Sequence, residues 1–251
     1  MKKFCFLLAL ALLSCGRTPV SLTLMTYNVG VFSKYEDNST AGVADVIRSE
    51  GADIVALNEL DSCNRRHATF QLKDLSTQLG GWPFLFASAF PFAGGGYGNG
   101  VVSADEILNS FRVALPKGEG SEPRSIAVVE TARCVLGAVH LDYVNEEATL
   151  EQMRVANEWF LEHYKDCPKP VFLCGDFNAE PDSKVIELAK TCWIPLSGEE
   201  FTYSTTDPHE CIDFIFAFRH AAPVQVKEAK VLTEGTASLS DHFPVKVKVQ
   251  F

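Results

Sequence analysis

The sequence predicts an α/β domain in which two sheets pack face to face and helices cover each outer surface. Three observations carry this. Short apolar runs with strand character recur along the whole length, amphipathic segments at helical spacing interleave with them, and hairpin-like strand pairs occupy the middle of the chain. No low-complexity tract, linker or residue-level repeat divides the chain, so these elements belong to one domain, expected over residues 22–251.

The elements follow in order. Ser21–Asn28 alternates apolar and polar residues as a strand does, and Gly42–Glu50 reads as a helix with Val43, Val46 and Ile47 on one face. Asp53–Leu57 is a buried strand ending at Asn58-Glu59, and Phe70–Leu79 spaces Leu72, Leu75 and Leu79 for a helix. Strands are predicted near Pro83–Ala87, Val101–Ser103, Ser110–Ala114, Ser125–Thr131 and Arg133–His140. Ala148–Tyr164 is the clearest helix and Ser183–Lys190 a shorter one, with strands at Val171–Cys174, Cys211–Ala217, Val224–Leu232 and Val245–Phe251. Functional residues in such an arrangement gather at one edge, on strand ends and loops.

The N-terminus precedes this domain. Lys2 and Lys3 form a positive n-region, Phe4–Leu13 is an apolar stretch too short to span a bilayer, and Leu12-Leu13-Ser14-Cys15 looks like the lipobox of bacterial lipoproteins. Residues 1–14 are therefore expected to be removed as a signal peptide, with lipidated Cys15 and a tether to residue 21 anchoring the protein in the bacterial cell envelope. Loss of Lys2 and Lys3 takes the net charge from −10 to −12. Such a surface repels phosphate backbones, which disfavours tight nonspecific nucleic-acid binding, although a bound divalent cation reverses the local field. The six cysteines of the mature chain contain no CxxC pair, and Cys134 and Cys174 lie in apolar runs, where a buried free thiol is the expected state.

The polar residues that interrupt or end the apolar runs are the candidates for chemistry. Val171–Cys174 delivers Gly175, Asp176 and Asn178 to a rim, and Leu239–Pro244 sets Asp241 beside His242 before the last strand. Glu59 ends an apolar strand, where a carboxylate suits magnesium, a cation that takes one or two carboxylates and keeps several waters. Asn28 ends the first strand in the same way. His140 and His242 lie at strand ends with Asp213 and Asp241 available to orient them, and Asp213 breaks an otherwise apolar run, so it needs a partner. The remaining histidines, His67, His163, His209 and His220, are expected at the surface. Gly94–Gly100 reads as a flexible loop presenting the Tyr97 hydroxyl; it lacks the ending of a Walker A loop. Arg124 enters a strand and offers a fork of donors to a phosphate.

Taken in order, Asn28, Glu59, Tyr97, Arg124, His140, Asp176-x-Asn178, Asp213 and Asp241-His242 resemble the endonuclease/exonuclease/phosphatase superfamily over about Leu22–Val249. The resemblance implies a four-layer α/β/β/α sandwich and Mg²⁺-dependent hydrolysis of a phosphate ester, with Mn²⁺ as a substitute. It implies Glu59 as metal ligand with Asn28 and Asp241 nearby, Asp176 positioning or deprotonating water, and Asn178 orienting the phosphate. His242 paired with Asp213 would serve as base or donor, His140 would stabilise the transition state, and Tyr97 and Arg124 would bind substrate. Asn58 stands where many members carry glutamine, and no basic, aromatic DNA-gripping insertion follows it; Asp61–Arg66 is short and mixed in charge. The expectation is a monomeric phosphatase or phosphodiesterase acting on a small molecule or lipid head group. A secreted nuclease is the alternative, and a non-catalytic lipoprotein that binds a phosphorylated ligand is the second.

Overall fold

Alternation in the first strand, β1 (Ser21–Asn28), sets the architecture: Leu22 and Leu24 face one way, Met25 and Tyr27 the other, and all are buried. A strand buried on both faces must be covered twice, here by a second sheet and by helices. The computed structural model describes residues 19–251. The expected signal peptide and Cys15 lie outside them.

In chain order, α1 (Thr40–Ser49), β2 (Ile54–Ser62), α2 (Gln71–Gln78), β3 (Phe84–Phe92) and β4 (Gly95–Ser103) follow β1. Then come β5 (Asn109–Leu115), β6 (Arg124–Glu130), β7 (Val135–His140), α3 (Glu146–Tyr164), β8 (Val171–Asp176) and α4 (Lys184–Cys192). A short β9 (Trp193–Pro195), then β10 (Asp213–Phe218), β11 (Gln225–Val231) and β12 (Val245–Gln250) complete the chain. They form two six-stranded sheets, ordered β11-β12-β1-β2-β4-β3 and β5-β6-β7-β8-β10-β9. Among the described residues no helix is long and apolar enough to cross a membrane.

Three apolar layers match the four structural layers. Leu22, Leu24, Ile54 and Ala56 of the first sheet meet Leu136, Ala138, Phe172 and Ile215 of the second. Val43 and Ile47 of α1 and Leu72 and Leu75 of α2 close the outside of the first sheet over Met25, Tyr27, Val55 and Leu57. Met153, Ala156 and Phe160 of α3 and Ile186 and Ala189 of α4 do the same for the second. Asn145 caps α3 and Ser183 caps α4, each accepting hydrogen bonds from first-turn amides, which fixes where these helices begin.

Two sequence expectations change here. The glycine-rich segment is strand β4 and not a loop: a side chain at Gly95 would strike the Ser62 carbonyl and one at Gly98 the Ala87 carbonyl, so the glycines serve close strand approach. Strand β2 does not stop before Asn58-Glu59 but continues to Ser62, its register with β4 shifting between Leu57 and Leu60. Glu59 sits in that irregularity with φ of 57°. Cys134 and Cys174 are buried free thiols, as their apolar surroundings predict.

Register then concentrates polar residues at one edge. Asn28 pairs with Asn58 across β1 and β2, His140 with Asp176 across β7 and β8, and Asp176 with Asp213 across β8 and β10. Strand ends from both sheets therefore open onto the same rim.

Candidate active site

Asp176 is the centre of the site. Its backbone NH donates to Asn58 Oδ1 (3.1 Å), and its Oδ2 accepts from Asn28 Nδ2 (3.0 Å). His140 Nε2 and His242 Nε2 lie 3.5 and 3.8 Å from the same oxygen. Asn178, held at φ of 47°, donates its backbone NH to Asp176 Oδ1 (2.9 Å) and its amide to the Leu141 carbonyl (3.0 Å).

The two imidazoles are held in different states. His242 Nδ1 is 2.8 Å from Asp213 Oδ2, so the carboxylate fixes the proton on that nitrogen. Burial alone would lower the His242 pKa, but the negative charges of Asp213, Asp176 and Asp241 outweigh it and raise it to about 10. His242 is thus an imidazolium near neutral pH. His140 is its opposite: burial, then the charges of Arg124 and His242, push its pKa well below the ordinary value. Arg124 Nη1 lies 3.4 Å from His140 Nδ1, and since a guanidinium only donates, Nδ1 accepts and the proton belongs on Nε2, toward Asp176. Asp176 is raised to about 7 by burial and then by the charge of Asp213, although His242 opposes the shift.

Around this centre lies a cavity of about 620 Å³ lined by Glu59, Tyr97, Arg124, His140, Asp176, Asn178, Asp241 and His242, among others. Asn28 and Asp213 stand behind them, the first donating to Glu59 Oε1 (3.1 Å), the second holding His242. The fold therefore brings together every residue that the sequence marked for chemistry. Tyr97 is presented from a strand rather than a loop, packed against Phe90 and Phe92 at 5.4 and 6.4 Å between rings. Burial, then the charge of Glu59, raises its pKa, so it offers a neutral hydroxyl. Arg124 lines the cavity although only 3% exposed, and its Nε is buried without a hydrogen-bond partner.

Two contributors escaped the sequence reading. Asn58 looked like a mild replacement; it bridges the sheets, donating to the Val139 carbonyl (2.8 Å) and Asn99 Oδ1 (3.2 Å) while accepting from Asp176. Lys34 gave no local signal. It reaches the cavity because Gly30, Val31 and Phe32 all adopt positive φ, a left-handed bend after β1, and its Nζ lies 2.6 Å from Asp241 Oδ2. The only sequence trace of this bend is the Val29-Gly30 step after Asn28.

His67 departs from expectation in the other direction. It is half-buried, with Nδ1 2.6 Å from Asp61 Oδ2 and Nε2 3.2 Å from Ser33 Oγ, and is not a surface residue. It lies outside the lining of the main cavity.

Comparison with known proteins agrees with this geometry. A family model described as the endonuclease/exonuclease/phosphatase family matches residues 25–242. Among solved structures, the chain is similar to an endonuclease/exonuclease/phosphatase from Beutenbergia cavernae (23% identity, TM-score 0.76, 92% of this chain and 72% of that one). It is also similar to a family protein from Bacteroides thetaiotaomicron (21% identity, TM-score 0.73, 94% of this chain and 99% of that one). A mannosyl-6-phosphatase from the same organism is similar at 21% identity and TM-score 0.74, over 92% of this chain and 100% of that one. A comparison with curated proteins finds no match. At these identities the solved structures speak for the fold, whereas the family match covers most of the sequence. The chain belongs to the endonuclease/exonuclease/phosphatase family, whose members are phosphoesterases and nucleases.

Proposed function

We propose that this protein is a Mg²⁺-dependent phosphatase or phosphodiesterase in which Asp176 takes the proton of the attacking water. The observation that carries this reading is the convergence of His140 Nε2 (3.5 Å), His242 Nε2 (3.8 Å) and Asn28 Nδ2 (3.0 Å) on one oxygen of Asp176 at the cavity, where burial and the charge of Asp213 raise the carboxyl pKa to about 7. A base near the working pH and a cationic donor beside it suit attack of water on a phosphate. Asp176 accepts the water proton; imidazolium His242, held by Asp213, donates a hydrogen bond to a phosphoryl oxygen. Neutral His140, Arg124 and Tyr97 supply further donors, and Asn178 orients the group. The oxygen of water bonds to phosphorus, the ester P–O bond breaks, and the departing oxygen acquires the proton that balances the one taken by Asp176.

The donor set also fits a hard divalent cation. Glu59 uses one oxygen on Asn28, and Asp241 faces the same cavity with an ammonium already at its carboxylate. Asp176, Asp213 and His242 place candidate ligand atoms within 4.8 Å of one another, but His242 Nδ1 is committed to Asp213, so this trio suits proton handling better. Glu59 and Asp241, with Asn28 behind them, would hold the ion. When bound it neutralises phosphate charge and stabilises the departing oxygen.

The test is release of p-nitrophenol from p-nitrophenyl phosphate and bis-(p-nitrophenyl) phosphate with Mg²⁺ or with EDTA. Metal-dependent release from either ester is expected, and its absence from both would sink the proposal. Preference for one ester separates phosphatase from phosphodiesterase.

The proposal extends to location: an exported lipoprotein anchored through Cys15, supported by the sequence Leu12–Cys15 after a short apolar stretch. Cys15→Ala should release the protein into the soluble fraction. A variant that stays with the membrane at unchanged mass would contradict it.

A further inference from the structure

Lys34 and Arg124 are the two lysine or arginine side chains among the residues lining the cavity, and they are held in different ways. Arg124 is buried, with Nη1 3.4 Å from His140 Nδ1 and 3.8 Å from Glu122 Oε2. Lys34 keeps its Nζ 2.6 Å from Asp241 Oδ2 while 39% of its side chain stays open to solvent. Its route to that oxygen is built into the chain. The left-handed bend at Gly30, Val31 and Phe32 precedes it, and any side chain at Gly30 would strike the Lys34 stem. Ser33 Oγ lies 3.2 Å from His67 Nε2, and Ser39 Oγ donates to the Leu239 carbonyl at 2.8 Å. Both ends of the segment are therefore tied down, and a flexible four-carbon stem carries the charge from it.

Asp241 depends on this ammonium. Ser240 Oγ lies 3.4 Å from its other oxygen, Oδ1, but spends its single proton on the Asn28 carbonyl at 2.7 Å. Lys34 is thus the one short side-chain donor to this carboxylate among the described residues, and its ammonium also feels the charge of Glu59. Glu59 and Asp241 are the carboxylates that fit the divalent ion, so the ammonium and the ion contend for the same negative charge. Two cations on one carboxylate repel each other, and each weakens the hold of the other by the same factor. Once Lys34 yields these acids, the anion brought beside it is the phosphoryl group whose charge the ion neutralises.

We infer that Lys34 is a phosphate-binding residue held in reserve: it neutralises Asp241 until a divalent cation takes that carboxylate, and its ammonium then donates to the substrate's phosphoryl oxygens. The inference rests on the phosphoesterase reading and adds a residue to it. The exchange keeps charge matched at each stage, since Lys34 faces an acid before the ion arrives and a phosphate afterwards.

The experiment uses the full-length chain in detergent and two calorimetric titrations, Mn²⁺ without phosphate and inorganic phosphate at saturating Mn²⁺. Lys34→Met should bind Mn²⁺ about tenfold more tightly than the wild type, because the competing cation is gone. The same variant, once loaded with Mn²⁺, should bind phosphate about tenfold more weakly. Lys34→Arg keeps the charge and should move both affinities less. Opposite shifts in two affinities are not what a merely structural lysine would give. Lys34→Gln carries the same comparison if Lys34→Met does not fold. An Mn²⁺ affinity that is unchanged or weaker in Lys34→Met would overturn the inference, as would an unchanged phosphate affinity. If the wild type hydrolyses p-nitrophenyl esters with metal while either of those results holds, this inference alone fails. If the wild type hydrolyses neither ester, the phosphoesterase reading fails and takes the inference with it.

Discussion

Two of the buried carboxylates that meet histidines, Asp61 and Asp176, behave in opposite ways. Asp61 contacts His67 at 2.6 Å and also receives Arg66 Nε and Nη2 at 2.7 and 2.9 Å. Burial alone would raise the Asp61 pKa, but the hydrogen bonds from Arg66, His67 and Asn64 more than offset it and lower the value. Asp176 shares one oxygen among Asn28 and two imidazoles at 3.5 and 3.8 Å, and Asp213 stands close by with its Oδ1 unpartnered. Its pKa rises to about 7. The lesson is that a buried acid near a histidine is not by itself a site. Asp61 has spent its lone pairs on donors beside an arginine; Asp176 lines a cavity, and Asp213 behind it keeps an oxygen without a partner.

The largest effect expected from this contrast is on turnover. His242→Ala should lower kcat by about a thousandfold, within the range for losing a positioned acid–base group, while circular dichroism stays unchanged. His67→Ala should cost less than tenfold. Equal losses would erase the distinction between the pairs.

Metal dependence comes next. Glu59→Gln should weaken Mn²⁺ binding, followed by calorimetry, by at least about 10- to 100-fold, the scale already seen when a group that only supports a metal ligand is lost. Asp61→Asn, also a change of one carboxylate, should leave that affinity within twofold. A metal affinity indifferent to Glu59 would place the ion elsewhere.

A smaller effect separates the pairs by pH. Asp61 has a folded-state pKa below its ordinary 3.8, so the stability it contributes is present in full above the unfolded value and is lost as pH falls through the folded one. Asp176 has a folded-state pKa raised from 3.8 to about 7, so its ionisation opposes folding above that range and costs nothing below 3.8. With EDTA present, the stability gained by Asp176→Asn should therefore grow between pH 4 and 7 and then level off. Denaturant melts across that range read it directly. A gap that shrinks with rising pH would mean that Asp176 is held as a satisfied carboxylate.

Much of this was legible from residues alone. Apolar runs place the central strands because these are buried on both faces, which Leu22/Leu24 against Met25/Tyr27 displays within one strand, whereas edge strand β11 is largely exposed. Most site residues were visible as polar residues ending or breaking an apolar run, as Asp176 and Asp213 do, whereas Tyr97 stood out from a glycine-rich segment. What was hidden depended on backbone conformation or on long-range packing. The glycines of β4 look like a loop until the Ser62 and Ala87 carbonyls are seen against them. Lys34 reaches Asp241 only through a bend with three consecutive positive φ angles, which nothing in Val31-Phe32 advertises. Asn58 matters through Val139 and Asp176, partners 81 and 118 residues away. His67 looked exposed because its partner Asp61 faces inward from β2, a strand that runs farther than its apolar core.

The most direct test of the central claim measures Asp176→Asn and Asp61→Asn together, for kcat in Mg²⁺ and for Tm in EDTA. Asp176→Asn should lose turnover by about a thousandfold while its Tm rises by roughly 2–4 °C per kcal/mol relieved. Asp61→Asn should keep turnover within tenfold and lose about 1–3 kcal/mol of stability as its buried donors go unpaired. The opposite pattern, a destabilised Asp176→Asn that still turns over beside a stable Asp61→Asn that does not, would contradict the account.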